Sequence, residues 1–341
     1  MPTILPKAIN RWNPAVNDGV QATEYKRGST NMAASKFEFD EQTRADCLVL
    51  IDQALAEDLN GTVDCTSWSV VPEKVTGTAK FVSREVGVAC GLQIAELVLA
   101  QAAQQLDLEC HVNDGDEIEK GQALATIRGT ARKILLVERT CLNFMCRLSG
   151  ISSLAARFAK QTEGTAAKVY DTRKTTPGWR RLEKYAVKCG GGANHRMGLY
   201  DALMIKDNHL AMFSSVVDHA ENTIPVALKN AREWIAEHAK ELPHGDKTIL
   251  QIEVDTLDQY QIALDCDPDI ILLDNMNTDQ LREAVSIREQ ESKHGVLLEA
   301  SGGVNLDTVG GIAQTGVERI SVGALTHSAI NFDIGLDWTI D

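Results

Sequence analysis

From residue 166 onward, short apolar runs of strand-forming residues alternate with amphipathic stretches at helical spacing. The runs are AAKVY (166–170), ALMIK (202–206), TILQIEV (248–254), IILLD (270–274), VLLEAS (296–301) and RISVGA (319–324), and helical patterns fall at 227–240, 256–265, 278–291 and 305–315. Strand–helix alternation of this kind predicts a parallel sheet covered by its crossover helices. Six runs are clear, fewer than a complete α/β barrel needs. No internal repeat or low-complexity tract interrupts them.

The first half has another rhythm. Residues 43–59 carry apolar positions at helical spacing with Asn60-Gly61 as the stop, 77–90 alternate as strands do, and 91–106 predict a helix. Residues 111–129 hold turn signals at Asp114-Gly115 and Lys120-Gly121 between short strands, and 131–148 predict a long helix. This half is therefore expected to be a layered α+β domain. Three segments follow: 1–36 as an extension, arm-like or partly disordered, then domains at 37–148 and 149–341. The extension has little apolar periodicity and contains Pro2, Pro6, Pro14, Gly19 and Gly28. It lacks the strong Arg bias of a transit peptide, and Met32 is an alternative start.

The whole chain of 341 residues is 44% apolar and 24% charged, as expected of a soluble globular protein that needs no disulfide staples. Its eight cysteines include no C-x-x-C pair, which makes a zinc or thioredoxin-like role weak. With no signal peptide read at the start, they are expected to be reduced thiols in a cytoplasmic protein. No apolar run approaches the length of a membrane span. The formal charge of -14 argues against nucleic acid or an anionic membrane as the main partner.

Against that background one stretch stands out. Residues 171–206 hold eight Lys or Arg against Asp171, Glu183 and Asp201, a net +5 in a chain whose remainder carries -19. Such focusing suits a small anionic ligand in a cleft. Arg173 and Lys174 follow a predicted strand and precede the Thr175-Thr176-Pro177-Gly178 turn, which favours a site role. Arg180, Arg181, Lys184 and Lys188 lie at helical spacing, and a solvated helix face is the expected place for Lys184 and Lys188. Gly190, Gly191 and Gly192 would let the chain turn back, so that His195-Arg196 meets Arg173-Lys174.

Each run also ends in residues capable of chemistry: Asp171, Arg173 and Lys174; Lys206 to His209; Glu253; Asp274-Asn275; Ser301-Gly302-Gly303; and Gly323. In a barrel the C-terminal strand ends share one mouth, where active sites sit. Glycines there admit backbone amides to a phosphate, although Gly after a strand is also the commonest loop residue. Lys206, inside an apolar run, fits a Schiff-base nucleophile, a cation for an anionic substrate, or a partner of Asp207. Glu253 and Asp274 fit a Mg²⁺ or sugar-hydroxyl site, or equally carboxylates that neutralise the basic cluster. His195 could donate to an anion, though a lone His is more often simply a satisfied residue.

These residues carry a family resemblance. DTRKTTPGWRRLEKYAVKCGGGANHRMGLYDALMIKDNH (171–209) resembles the signature of the quinolinate phosphoribosyltransferases, also called carboxylating nicotinate-nucleotide pyrophosphorylases. The likeness continues in order through EDLNGTVDCTS (57–67), ERTCLNFMCRLSGIS (138–152), IEVDT (252–256), ILLDNM (271–276), EASGGV (299–304) and SVGALTHS (321–328), spanning roughly residues 40–340. Trp179, where an aliphatic residue is common, and Ala202-Leu203-Met204 depart from it only in apolar positions.

The resemblance implies an N-terminal α/β sandwich and a C-terminal irregular, incomplete α/β barrel. It implies transfer of phosphoribosyl from 5-phosphoribosyl 1-diphosphate to quinolinate with loss of CO₂ and diphosphate, giving nicotinate mononucleotide for NAD biosynthesis, with Mg²⁺ and no organic cofactor. It implies a homodimer, or a higher assembly of dimers, whose sites are completed by the neighbouring subunit. By resemblance Thr172, Arg173, Lys174, His195, Arg196 and Lys206 would form the quinolinate pocket, with Arg139 reaching in from the partner. Glu253 and Asp274 would sit near the ribose and its metal, possible metal contacts included, and with Lys206 would be the catalytic groups. Ser301, Gly302, Gly303 and Gly323 would cradle the 5-phosphate, with His327 nearby.

Three rivals remain. A paralogous phosphoribosyltransferase would use another pyridine or azole-like acceptor. A Schiff-base aldolase would use Lys206 but leaves the other cations unexplained. A lipoyl-like carrier is prompted by NDGDEIEKGQALATI (113–127), where no modifiable lysine stands out at a hairpin tip.

Overall fold

Asp40 starts the first described helix by accepting the Thr43 amide at 2.6 Å, and Asn60 ends it in the left-handed region, φ 44°, with its amide on Ala56 O. The computed structural model describes residues 37–215 and 223–339. The extension read at 1–36, with Met32, lies outside the described residues. The first helix is α1 (Glu41–Leu59), followed by α2 (Cys65–Val70), β1 (Thr76–Ser83), β2 (Gly87–Val88), α3 (Leu92–Ala102), β3 (Asp107–Cys110), β4 (Glu117–Ile118), β5 (Ala123–Thr130) and α4 (Ala131–Gln161). Helix α3 stops short of the expected residue 106, because the chain turns at Ala103–Leu106 to bring β3 against β5.

The expected strand at the Lys120-Gly121 turn is met by β4 and β5, and Gly115 and Gly121 both take positive φ, at 91° and 84°. The antiparallel sheet has the order β12-β1-β5-β3, where β12 (Ile334–Thr339) is the last strand of the chain. The end of the chain therefore returns to the first layer, an excursion that the reading of 149–341 as one segment did not include. Helix α4 likewise runs past residue 148. Its Ser149 and Ser152 hydroxyls donate to Cys90 O and Val88 O, and Gly150 lets Ile330 O approach to where a Cβ would be only 2.0 Å away. These close contacts make α4 the spine on which both layers rest.

The second half contains β6 (Lys168–Tyr170), α5 (Arg180–Cys189), β7 (Leu203–Ile205), α6 (Asp207–Ser214), α7 (Thr223–His238), β8 (Leu250–Val254), α8 (Leu257–Leu264), β9 (Ile270–Asp274), α9 (Thr278–Gln290), β10 (Leu297–Ser301), α10 (Val309–Ala313), β11 (Arg319–Ser321) and α11 (Ala324–His327). All six expected runs form strands of one parallel sheet, in the order β6-β11-β10-β9-β8-β7. Because β6 and β7 are its two edges and do not pair, the barrel is incomplete. The register places Ser301 beside Asp274 and Glu253 beside Leu272, so chemistry-bearing residues on neighbouring strands share a level and a face.

Helix α5 corrects the expectation for Lys184. Lys188 is exposed, but Lys184 is fully buried and ion-paired with the equally buried Asp171 at the end of β6. Lys184 Nζ also donates to His195 O at 3.0 Å, while Asp171 accepts from the His195 amide at 2.8 Å and from Asn194 Nδ2 at 2.7 Å. Burial pushes the Asp171 carboxyl up and the Lys184 ammonium down, and the mutual attraction of the pair opposes both shifts. The glycines between them permit the return: Gly191 has φ +83°, and a Cβ on Gly190 would lie 2.1 Å from Ser152 O on α4. Ala193 then bridges Tyr170 beside β6.

Glu183, the next buried charge on α5, accepts from Arg147 Nη2 at 2.7 Å and from the Thr176 hydroxyl at 2.8 Å, which fixes the turn after Arg173-Lys174. Trp179 fills its place by stacking on Phe144 of α4, with ring centroids 4.9 Å apart. Lys184→Met leaves Asp171 without its counter-ion and is expected to cost ~3–5 kcal/mol in denaturant unfolding. Lys188→Met, on the exposed face, is expected to stay within ~0.5 kcal/mol of the parent. Equal effects would contradict the buried role of Lys184.

Candidate active site

At the C-terminal ends of the parallel strands a cavity of about 610 Å³ opens, lined from every strand of that sheet. Thr172, Arg173 and Lys174 enter it after β6, and Lys206 after β7. Glu253 and Asp274 enter from β8 and β9, Ser301 with Gly302 and Gly303 from the end of β10, and Gly323 with His327 after β11. His195 and Arg196 reach it from the returning loop. Arg139 is the exception among the expected site residues: it lies on an exposed part of α4 and does not line the cavity.

The cations are only partly neutralised. Lys206 Nζ is 2.5 Å from Glu253 Oε2. Arg196 is held by Ala202 O at 3.0 Å and Met204 Sδ at 3.5 Å. Burial, and then the neighbouring Arg173 guanidinium, lower its pKa from the usual value. Arg173 Nε is buried without a hydrogen-bond partner among the described residues. Two guanidiniums repelling each other in a half-buried pocket are stabilised by an anion placed between them, and a planar fork suits a carboxylate.

On the other side, Asn275 donates to Asp274 Oδ2 at 2.7 Å and itself has φ 55°. Gly302 has φ +96°, and a Cβ there would stand 2.2 Å from Asn275 Oδ1. A Cβ on Gly323 would meet Lys174 Cδ at 3.0 Å. At both places glycine leaves room for backbone amides and a bound phosphate.

His195 has less freedom to donate than its sequence position suggested. Its Nδ1 accepts the Arg196 amide at 2.7 Å, so the ring proton resides on Nε2, which is turned toward Glu299 Oε1 at 3.1 Å. The two groups are close but not aligned as a hydrogen bond.

Glu299 was not singled out from the sequence. It is fully buried in β10, accepts from Arg319 Nε at 2.7 Å, Gln251 Nε2 at 3.2 Å and the Ser321 hydroxyl, and lines the cavity floor. Burial raises its pKa, but His195, Arg319 and Ser321 outweigh that and hold it at about 2, so it is a carboxylate at neutral pH. The available signal was a carboxylate inside an apolar run, the same signal that marked Glu253. Met204 and Leu272 add apolar surface between the charged groups.

Among the described residues no group of three His, Cys, Asp or Glu side chains is arranged to hold a metal ion. Glu253 and Asp274 are the carboxylates at the mouth that could offer an oxygen to a cation arriving with a substrate. No helix among the described residues is long and apolar enough to cross a membrane.

Comparison with known proteins gives the same picture. Residues 64–149 match the model of the quinolinate phosphoribosyl transferase N-terminal domain and residues 151–337 that of the C-terminal domain. The nicotinate-nucleotide pyrophosphorylase [carboxylating] of Mycobacterium leprae is 43% identical over 84% of this chain and 95% of its own length. The probable enzyme of the same name from Bacillus subtilis is 36% identical over 85% and 93%. The solved structure of the nicotinate-nucleotide pyrophosphorylase from Francisella tularensis aligns with a TM-score of 0.76 at 32% identity, covering 86% of this chain and 96% of that one. With both domains matched in order, and the strand ends gathered into one cationic mouth, the chain belongs to the quinolinate phosphoribosyltransferase family.

Proposed function

We infer that this chain is a decarboxylating quinolinate phosphoribosyltransferase, which converts quinolinate and 5-phosphoribosyl 1-diphosphate to nicotinate mononucleotide, CO₂ and diphosphate for NAD biosynthesis. The observation that carries the reading is the pairing of Arg173 with Arg196 in the cavity, neither ion-paired among the described residues, facing the carboxylates of Glu253 and Asp274. A substrate with two carboxylates on adjacent ring positions answers the first pair. A sugar centre that gains positive charge answers the second.

In this reading Arg173, Lys174 and Arg196 bind the carboxylates of quinolinate, while Met204 and Leu272 meet its ring. Thr172 and His195 complete the wall. Ser301, Gly302, Gly303 and Gly323 hold the 5-phosphate on backbone amides, with His327 at the rim. Held this way, the ring nitrogen faces C1 of the ribose. As the bond from C1 to diphosphate lengthens, Glu253 and Asp274 stabilise the cationic sugar. The nitrogen bonds to C1 and diphosphate leaves with the bonding pair. The ring is now a pyridinium, which accepts the electron pair released when the C2–carboxylate bond breaks. A proton then replaces CO₂ at C2.

Glu253 and Asp274 are the residues that would offer oxygens to a Mg²⁺ bound with the donor, and such an ion would offset the charge of the departing diphosphate. Asp274 accepts from Asn275, whereas Glu253 is already paired with Lys206. Lys206 Nζ is engaged by the Glu253 carboxylate, which supports a charge-pairing role over that of a Schiff-base nucleophile. A cytoplasmic location fits the eight free thiols. Purified protein with Mg²⁺ is expected to form nicotinate mononucleotide and release CO₂ from carboxyl-labelled quinolinate; absence of both would refute the assignment.

The assembly belongs to the same proposal. Arg139 is exposed outside its own cavity, and on α2, which packs against α4, Trp68 and Val70 are 59% and 71% exposed. A homodimer that buries this face would carry Arg139 to the neighbouring site. Arg139→Ala and Lys206→Ala proteins, each inactive alone, are then expected to regain about a quarter of parent activity when equally mixed and exchanged, since random pairing restores one site in each mixed dimer. No recovery in dimers shown to have exchanged would place Arg139 outside the neighbour's site.

A further inference from the structure

Glu299 is a buried anion in the floor of a cavity that, in the reading above, must receive another anion. That placement raises the question of what the carboxylate does there. Its hydrogen-bond donors are Arg319 and Ser321 on β11 and Gln251 on β8, and His195 on the returning loop stands 3.1 Å away with Nε2 toward Glu299 Oε1. Arg319 is additionally stacked over Tyr170 of β6, 3.7 Å from the ring centroid, so the guanidinium itself is fixed. These three donors are therefore set by the sheet. The remaining neighbour, His195, is carried by a loop and is the part that the Glu299 charge can position.

The tautomer argument gives that positioning a consequence. With Glu299 ionised, the imidazole proton belongs on Nε2, facing Glu299 Oε1 at 3.1 Å. Nδ1 is then free to accept the Arg196 amide at 2.7 Å. The Arg196 guanidinium, anchored at its other end by Ala202 O, is thereby fixed at the cavity wall. We propose that Glu299 is a positioning residue for the quinolinate pocket, acting through the Nε2–H tautomer of His195 to fix Arg196. Glu299 makes no contact with the substrate carboxylates in this arrangement, because like charges hold them toward Arg173 and Arg196.

The proposal rests on the quinolinate reading, and the test separates the two. Parent protein that binds quinolinate in calorimetry upholds the reading, whatever the variants do. In Glu299→Gln, Arg319 and Gln251, which both donate to the Oε2 position, hold the amide oxygen there and leave the NH2 facing His195 Nε2. Two donors then oppose each other, and the ring is expected to move its proton to Nδ1, where it meets the Arg196 amide. Quinolinate affinity is expected to fall ~10-fold or more, as for other residues that orient a ligand-binding group. The KM for 5-phosphoribosyl 1-diphosphate is expected to stay within ~2-fold, since its cradle lies on other strand ends.

In ¹⁵N-histidine spectra the His195 signal, assigned by its loss in His195→Ala, is expected to change from the Nε2–H to the Nδ1–H pattern. In the His195→Ala background, Glu299→Gln is expected to add little further loss. Equal losses in both backgrounds, an unchanged tautomer, or parallel losses for both substrates would overturn the proposal. Glu299→Asp keeps the charge and serves if the Gln variant does not fold. It is expected to retain the tautomer and most of the quinolinate affinity, and a ~10-fold loss of affinity with the tautomer unchanged would overturn the proposal.

Discussion

The ion pair of Asp171 and Lys184 is the contact on which the candidate site depends. It joins the end of β6 to the middle of α5, and each partner also grips the backbone of His195. Two segments that lie more than twenty residues apart in the chain are thereby fixed side by side: Thr172 to Lys174, and His195 to Arg196. A buried ion pair is a costly way to hold a fold, because both charges lose their water. Here it fixes a geometry that apolar packing could not specify, since the groups it brings together repel one another. The neighbouring Arg147–Glu183 contact, reaching Thr176 and the carbonyls of Thr326 and Ala329, secures the same region from the α4 side.

Charge is thus distributed in layers. Lys184 and Arg147 are neutralised in the protein interior by Asp171 and Glu183. Arg319 is neutralised by Glu299 beneath the cavity, and Lys206 by Glu253 at its edge. Arg173 and Arg196 are left for a ligand. The chain as a whole can carry -14 because its positive charge is spent where anions are to be held together.

Much of this was legible in the sequence because its periodicity is strong. Each of the six apolar runs became a strand of the parallel sheet, and the polar residues at their ends met in one mouth, as parallel strands require. Lys184 was misread because helical spacing tells which residues share a face but not which face is buried. Its partner, Asp171, sits thirteen positions earlier on another element. Glu299 escaped notice because an apolar run conceals a single carboxylate unless the donors around it are known, and those come from β8, β11 and a loop. The return of β12 to the first sheet was equally hidden, since a short strand at the chain end carries no mark of which sheet it joins. Arg139 differs again: its expected role requires a second subunit, and within one chain it stands apart from the cavity.

The central claim is that Arg173 and Arg196, side by side and without an ion-pair partner among the described residues, select a substrate with two carboxylates. Calorimetric titration with quinolinate and with nicotinate, which has the same ring and one carboxylate fewer, tests this most directly. Losing a charge-assisted contact to a half-buried guanidinium predicts that nicotinate binds at least ~10-fold more weakly. Equal affinity for the two would show that the paired arginines do not read the second carboxylate, and would contradict the account.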